Sequence, residues 1–221
     1  MALSPSAIVE RLAPVYGMPV HTPHGDAVAE LVLTVLSQNT ADTNSGRAFI
    51  AMMNHYPSWA AIRDAPNREL VATIERGGLA NQKAPRIQAI LRAVGEQSPD
   101  WDLRFLQAMP IAEARAWLRA LPGVGPKTAA CVLLFAFGIP ALPVDTHVER
   151  VSKRLGLIAA KTPADRAHGL LESVVPPAEY YQFHMLLIKH GRRTCHARTP
   201  SCFRCPLQPD CPAAAGRESP R

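Results

Sequence analysis

The sequence predicts an all-α protein built around one helix–hairpin–helix unit. Apolar residues recur at three/four spacing along most of the 221-residue chain, and stretches with the alternation of a strand are hard to find. Leu121-Pro122-Gly123-Val124-Gly125 reads as a tight turn, since Pro122, Gly123 and Gly125 do not sit comfortably inside a regular helix. Ile111, Ala114, Trp117, Leu118 and Leu121 lead into that turn on one helical face. Pro126 opens the helix after it, where a missing N–H costs nothing. Thr128 to Phe137 is then an apolar run that suits a helix buried on most of its faces.

The length allows one domain or two small interleaved ones, each able to bury a core. A formal charge of +6 points toward a polyanionic partner, though many basic proteins bind no nucleic acid. No apolar stretch is long and clean enough to cross a membrane, and Met-Ala-Leu-Ser-Pro lacks the basic and apolar regions of a signal peptide. A cytoplasmic location is therefore expected. Four of the five cysteines crowd near the C-terminus, and in a reducing compartment such crowding means metal before disulfide.

Taken in order, residues 6–16 form a short helix with Ile8, Val9 and Leu12 on one side, followed by a proline-rich connector. Gly25 and Asp26 open a helix with a wide apolar stripe of Val28, Leu31, Val32, Val35 and Leu36. Ser37-Gln38-Asn39-Thr40 follows as a polar turn, with Thr40 expected to cap the next helix. That helix, roughly 41–55, is expected to bury Ala48, Phe49, Met52 and Met53. Ser58 and Asn67 read as successive N-caps, and Gly77-Gly78 as a stop. Leu79 leads into a helix carrying Ile87, Ile90, Leu91 and Val94, on which Lys83 reads as a solvated or phosphate-facing charge. A connector from Pro99 to Pro110 precedes the hairpin unit. Beyond it, Val148, Val151 and Leu155 define a helix that Gly156 ends, and two more helices fit 163–175 and 177–190.

Three groups of residues carry candidate chemistry. A Gly-x-Gly turn feeding a helix N-terminus presents backbone N–H groups to an anion such as a DNA phosphate, which makes Gly123 and Gly125 candidate contacts. Lys127 stands on the first turn of that helix, where the positive helix end and an apolar wall both favour the neutral, nucleophilic amine. Asp145, eighteen residues later, is placed to cap the next helix and to face back toward Lys127. Cys195, Cys202, Cys205 and Cys211, with six, two and five residues between them, suit one tetrahedral set of ligands, either a [4Fe–4S] cube or a single Zn²⁺. Zinc favours two short Cys-x-x-Cys knuckles, and only one is present. Around the cluster loop, Lys189, Arg192, Arg193, Arg198 and Arg204 accumulate with no acidic residue among them, a pattern that fits a phosphate clamp. Cys131, alone in an apolar helix, reads as a core thiol.

Leu-Pro-Gly-Val-Gly-Pro-Lys-Thr-Ala followed by Val-Asp-Thr-His resembles the helix–hairpin–helix Gly-Pro-Asp superfamily of DNA base-excision glycosylases, and within it the endonuclease III family. The resemblance runs from about Leu31 to Cys211. It implies two interleaved helical domains: a six-helix domain over 26–137, and an iron–sulfur cluster domain made of 1–25 and 138–221. Lys127 and Asp145 are then expected in the cleft between them. The resemblance further implies a bifunctional glycosylase and AP lyase for oxidised pyrimidines, in which Lys127 forms a Schiff base and Asp145 assists. A [4Fe–4S] cluster on the four cysteines follows from the same source, as does double-stranded DNA with damaged bases or abasic sites as partner of a monomer. Leu79 would wedge into the base stack, and Gln38 or Asn39 would fill the gap left by the extruded base. His147 is a backbone-contacting candidate, Arg192 and Arg193 are DNA contacts, and Ser37, Asp42 and Thr128 are pocket candidates by position. The rival readings are a monofunctional glycosylase, which in this superfamily generally lacks the lysine, and a non-catalytic DNA-binding module.

Overall fold

The structure, a computed structural model, describes residues 3–215. They form helices and turns, with no β-strand among the described residues. Two compact units divide the chain, one from Pro23 to Ile139 and the other from the residues up to Thr22 together with those from Pro140 onward. The ends of the expected cluster domain, 1–2 and 216–221, lie outside the described residues.

In the Pro23–Ile139 unit, Asp26 caps α2 (Ala27–Ser37) by accepting from the Ala29 amide at 2.9 Å. The α2 stripe of Val28, Leu31, Val32, Val35 and Leu36 is fully buried. It packs on α3 (Asp42–His55), and also on α6 (Ala80–Gln97) and α8 (Pro126–Cys131). Thr40 is not the cap of α3. Ala41 holds that position with no side-chain bond, while Thr40 Oγ1 donates to the Gly77 carbonyl at 2.7 Å. Met53 is exposed and Phe49 half-buried, so α3 buries a narrower face, Ser45, Ala48 and Met52, than its composition suggested.

Ser58 caps α4 (Trp59–Asp64) as expected, accepting from the Ala61 amide at 3.1 Å. Asn67 does not cap. It is the first residue of α5 (Asn67–Ile74), and its side chain donates to Gln88 Oε1. The buried Gln88 amide in turn donates to the carbonyls of Ile62, Arg63 and Ala65, binding the α4–α5 link to α6. A 3-10 turn (Glu75–Gly77) and two left-handed residues, Gly78 and Leu79, then lead into α6.

Lys83 also departs from expectation, being only 2 % exposed. Its ammonium donates to the Leu36 carbonyl and Thr40 Oγ1, both at 2.6 Å, and to the Gly77 carbonyl at 2.8 Å. A buried cation needs such partners to offset lost hydration, and here they tie the end of α2 to the turn before α6. After a 3-10 turn (Arg104–Ala108), α7 (Ile111–Ala120) enters the hairpin with Ala114, Leu118 and Leu121 buried. Pro126 is the first residue of α8, which continues as one π-helical turn over Val132–Ala136. The Gly25 amide donates to the Ala136 carbonyl at 2.9 Å, joining the entry to α2 with the end of that turn.

In the other unit, α1 (Pro5–Tyr16) packs on α11 (Tyr180–Arg193), and α11 on α9 (Thr146–Arg154). Lys189 donates to the Tyr16 carbonyl, and the Tyr16 hydroxyl meets His190 Nδ1 and Thr194 Oγ1, locking α1 to the end of α11. α10 (Ala164–Glu172) and a 3-10 turn (Pro177–Glu179) complete the unit before the cysteine loop.

Candidate functional site

Within Pro23–Ile139, three turns carry most of the candidates. The hairpin puts Gly123 at φ +73, the left-handed region that favours glycine. A Cβ there would also meet Arg86 Cδ and Nε at 2.8 Å, so the absence of a side chain lets the arginine stem lie on the turn. Gly125 is the N-cap of α8, and Lys127 follows, half-buried, on its first turn. Thr128 is buried.

The second turn is Ser37–Thr40. Ser37 donates to the Leu33 carbonyl at 2.8 Å and reaches Ser45 Oγ at 3.2 Å, tying α2 to α3. Gln38 Oε1 accepts from Arg86 Nη1 at 2.6 Å. Asn39 is exposed at φ +53. Asp42 is exposed on the first turn of α3. The third turn presents Leu79, 46 % exposed at φ +52. A left-handed leucine costs roughly 1–2 kcal/mol, so this backbone is held there by its surroundings. Thr40 and Lys83 supply the hold, since both bond to the Gly77 carbonyl just before it.

Sequence reasoning missed Glu30. It lies within the apolar stripe of α2, and its carboxylate accepts from Thr34 Oγ1 at 3.1 Å and meets His24 Nε2 at 3.4 Å. Burial pushes its pKa up, opposed by the Thr34 bond, by His24 and by the positive charge of Lys127. The signal available was one acid in an otherwise apolar helix. Arg86 was missed as well, because a lone arginine on an amphipathic helix carries no pattern.

In the other unit, backbone tethers hold the approach to Asp145. The Leu142 amide donates to Glu172 Oε1, and its carbonyl accepts from His168 Nδ1. The Pro143 carbonyl accepts from the buried His184 at 2.8 Å. Asp145 caps α9, its Oδ1 accepting from the amides of His147 at 2.9 Å and Val148 at 2.7 Å. Both bonds fall on one oxygen, which leaves Oδ2 to serve another partner. His147 Nδ1 accepts from Arg150 at 3.1 Å, and burial holds its pKa below the usual histidine value. Arg192 and Arg193 are exposed on the last turn of α11.

The four cysteines line one cavity, closed by Val151, Leu155, Leu207 and Ala214. Arg154 donates to Cys195 Sγ at 3.1 Å and to the carbonyls of His196 and Ala197. Arg150 reaches the Cys195 carbonyl and that of Gly191. Burial pushes the Cys205 thiol up to about 11, with the other three cysteines adding to the rise. No three metal-binding side chains among the described residues gather closely enough for one ion. Four thiols lining one cavity remain a donor set whose softness suits zinc or iron–sulfur chemistry.

A hairpin feeding a helix with a half-buried lysine and two exposed left-handed turn residues mark the Pro23–Ile139 unit, and a four-cysteine loop marks the other. The family described as HhH-GPD superfamily base excision DNA repair protein matches residues 32–177. Endonuclease III of Synechocystis sp. is 36% identical over 185 residues, 83% of this chain and 80% of its own. An Arabidopsis thaliana relative is 33% identical over 162 residues, 73% of this chain, and the chain spans 55% of that longer protein. A solved trapped endonuclease III–DNA covalent intermediate superposes with a TM-score of 0.80 at 30% identity, covering 96% of this chain and 97% of its own. The chain belongs to the HhH-GPD superfamily of base excision DNA repair proteins, and within it is endonuclease III-like.

Proposed function

We propose that this endonuclease III-like base excision glycosylase and AP lyase acts on oxidised pyrimidines, with Lys127 as nucleophile and Asp145 as its assistant. A nucleotide must leave the duplex before its C1′ can be reached. The Lys127 amine then attacks C1′, the C1′–N glycosidic bond breaks, and the base departs with the bonding pair and a proton. Asp145 carries the negative charge that stabilises the cationic sugar and helps deprotonate the attacking amine. The nitrogen lone pair then breaks the C1′–O4′ bond, and O4′ leaves as a hydroxyl with the proton given up by the amine, so that the opened sugar is held as a Schiff base. Loss of a proton from its C2′ breaks the C3′–O3′ bond by β-elimination, cutting the strand 3′ to the lesion. The observation that carries the reading is Lys127 on the first turn of α8, directly behind the Gly123–Gly125 hairpin. Monofunctional relatives generally lack that lysine.

The remaining roles rest on position. Gly123 and Gly125 leave hairpin amides open to a phosphate. Leu79 suits a wedge, since an exposed apolar side chain on a rigid turn can prop open a base step. A polar side chain of the Ser37–Thr40 turn fills the vacated space, with Ser37, Asp42 and Thr128 bordering the base pocket. His147 contacts the backbone, and Arg192 and Arg193 clamp phosphates in a salt-dependent manner. Cys195, Cys202, Cys205 and Cys211 would hold a [4Fe–4S] cluster, which supplies rigidity to the basic loop. The protein works as a monomer on double-stranded DNA in the nucleoid-bearing cytoplasm. No described helix is long and apolar enough to cross a membrane. Incubation with duplexes carrying thymine glycol tests the reading: base release with strand cleavage is expected, and inertness toward every oxidised pyrimidine overturns it.

A further inference from the structure

The Ser37–Thr40 turn holds two amide side chains able to enter DNA, and the structure treats them differently. Ser37 is committed to Leu33 and Ser45, and Thr40 to Gly77 and Lys83. Gln38 is half-buried, with its carbonyl oxygen on Arg86. Asn39 is exposed, left-handed, and makes no side-chain hydrogen bond among the described residues. Arg86 itself lies between two turns distant in sequence. Its Nη1 reaches Gln38, and its stem passes Gly123 so closely that a Cβ there would stand 2.8 Å from Cδ and Nε.

We propose that Arg86 is a positioning residue that draws Gln38 against the hairpin and so leaves Asn39 as the side chain that enters the space vacated by the flipped nucleotide. The inference rests on the base-excision reading above and deepens it. A planar guanidinium suits the task, since its donors are fixed in direction. Its stem, packed on a glycine of the hairpin, keeps the donor in place while DNA approaches. Asn39 meets the opposite requirement. A short amide tolerates a left-handed backbone, which aims the side chain outward with little internal freedom to lose on insertion.

The test is equilibrium binding of the full chain to a duplex bearing a tetrahydrofuran abasic analogue, compared with the same duplex intact. No bond is broken, so plugging is read apart from chemistry. Asn39→Ala is expected to lose at least tenfold of the preference for the analogue, and Gln38→Ala to stay within twofold. Arg86→Ala should lose about fivefold, and Arg86→Lys, which can still donate to Gln38, should recover part of it. The decisive variant is Arg86→Ala with Gln38→Ala. If Arg86 acts by holding Gln38 back, removing Gln38 restores most of the preference, with the salt dependence of binding unchanged throughout. A double variant as weak as Arg86→Ala, with a salt slope lower by about one, makes Arg86 a phosphate contact and overturns the inference. Loss of preference in Gln38→Ala rather than Asn39→Ala overturns it equally. An unmodified protein that fails to distinguish the two duplexes instead overturns the base-excision reading, and the inference falls with it.

Discussion

Asp145 Oδ1 accepts the Val148 amide at 2.7 Å, so the residue proposed to assist Lys127 is also the N-cap of α9. The two roles separate by substitution. Asn is as good a cap as Asp, whereas Ala at a cap costs about 1 kcal/mol. Asp145→Asn should therefore unfold in urea within about 0.5 kcal/mol of the parent, and Asp145→Ala about 1 kcal/mol earlier. Both should slow single-turnover base release by roughly 10²-fold or more, the scale of a lost general base.

Lys83 is a structural cation. Lys83→Met keeps the stem but leaves the buried Leu36 carbonyl without this donor and the Gly77 carbonyl with Thr40 alone. The expected cost is roughly 2–4 kcal/mol, read as a shift in urea midpoint with an unchanged slope. Stability within 0.5 kcal/mol of the parent would contradict the bonding described.

These two residues mark how far the sequence reaches. Helix faces such as that of α2 were legible because burial at three/four spacing is written locally in residue type. The Asp145 cap and the Pro126 start were legible for the same reason, being decided within one helical turn. The fate of Thr40 was not: a cap in prospect, it is claimed by a carbonyl thirty-seven positions away. Lys83 follows Asn81-Gln82 in a polar stretch, and only the convergence of Leu36, Thr40 and Gly77 makes its burial sensible. The π-turn after α8 leaves no trace in an unbroken apolar run. Of the candidate site, the hairpin, Lys127, Asp145 and the cysteines stand out as motifs. Glu30 and Arg86 do not, since their environments are assembled from other elements.

Glu30 should give a pH signature. Burial raises its folded pKa above the ordinary 4.5, so the native state binds more protons than the unfolded chain between 4.5 and that raised value. Stability from this group is consequently present at low pH and lost as pH rises through the folded pKa. Glu30→Gln keeps an acceptor for Thr34 and removes the titration. Its Tm should exceed that of the parent at pH 8, and the difference should vanish toward pH 4. A difference constant across that range would show that Glu30 does not titrate in the folded state as described.

The cysteine loop should behave as a cofactor-dependent element. Protein prepared anaerobically is expected to carry four irons and four sulfides per chain, with visible absorbance that disappears in Cys202→Ala. Chelation should strip protection from amide exchange around Thr194–Ala214, while the Pro23–Ile139 unit keeps its own. One zinc and no iron would exclude the cluster.

Borohydride trapping on duplex DNA carrying an abasic site reads the Lys127 Schiff base itself, because reduction converts it into a stable protein–DNA adduct. A covalent adduct is expected with the unmodified protein and none with Lys127→Ala, in a variant that still binds the same duplex. Base release without a trappable adduct, or an adduct that survives Lys127→Ala, would contradict Lys127 as the nucleophile.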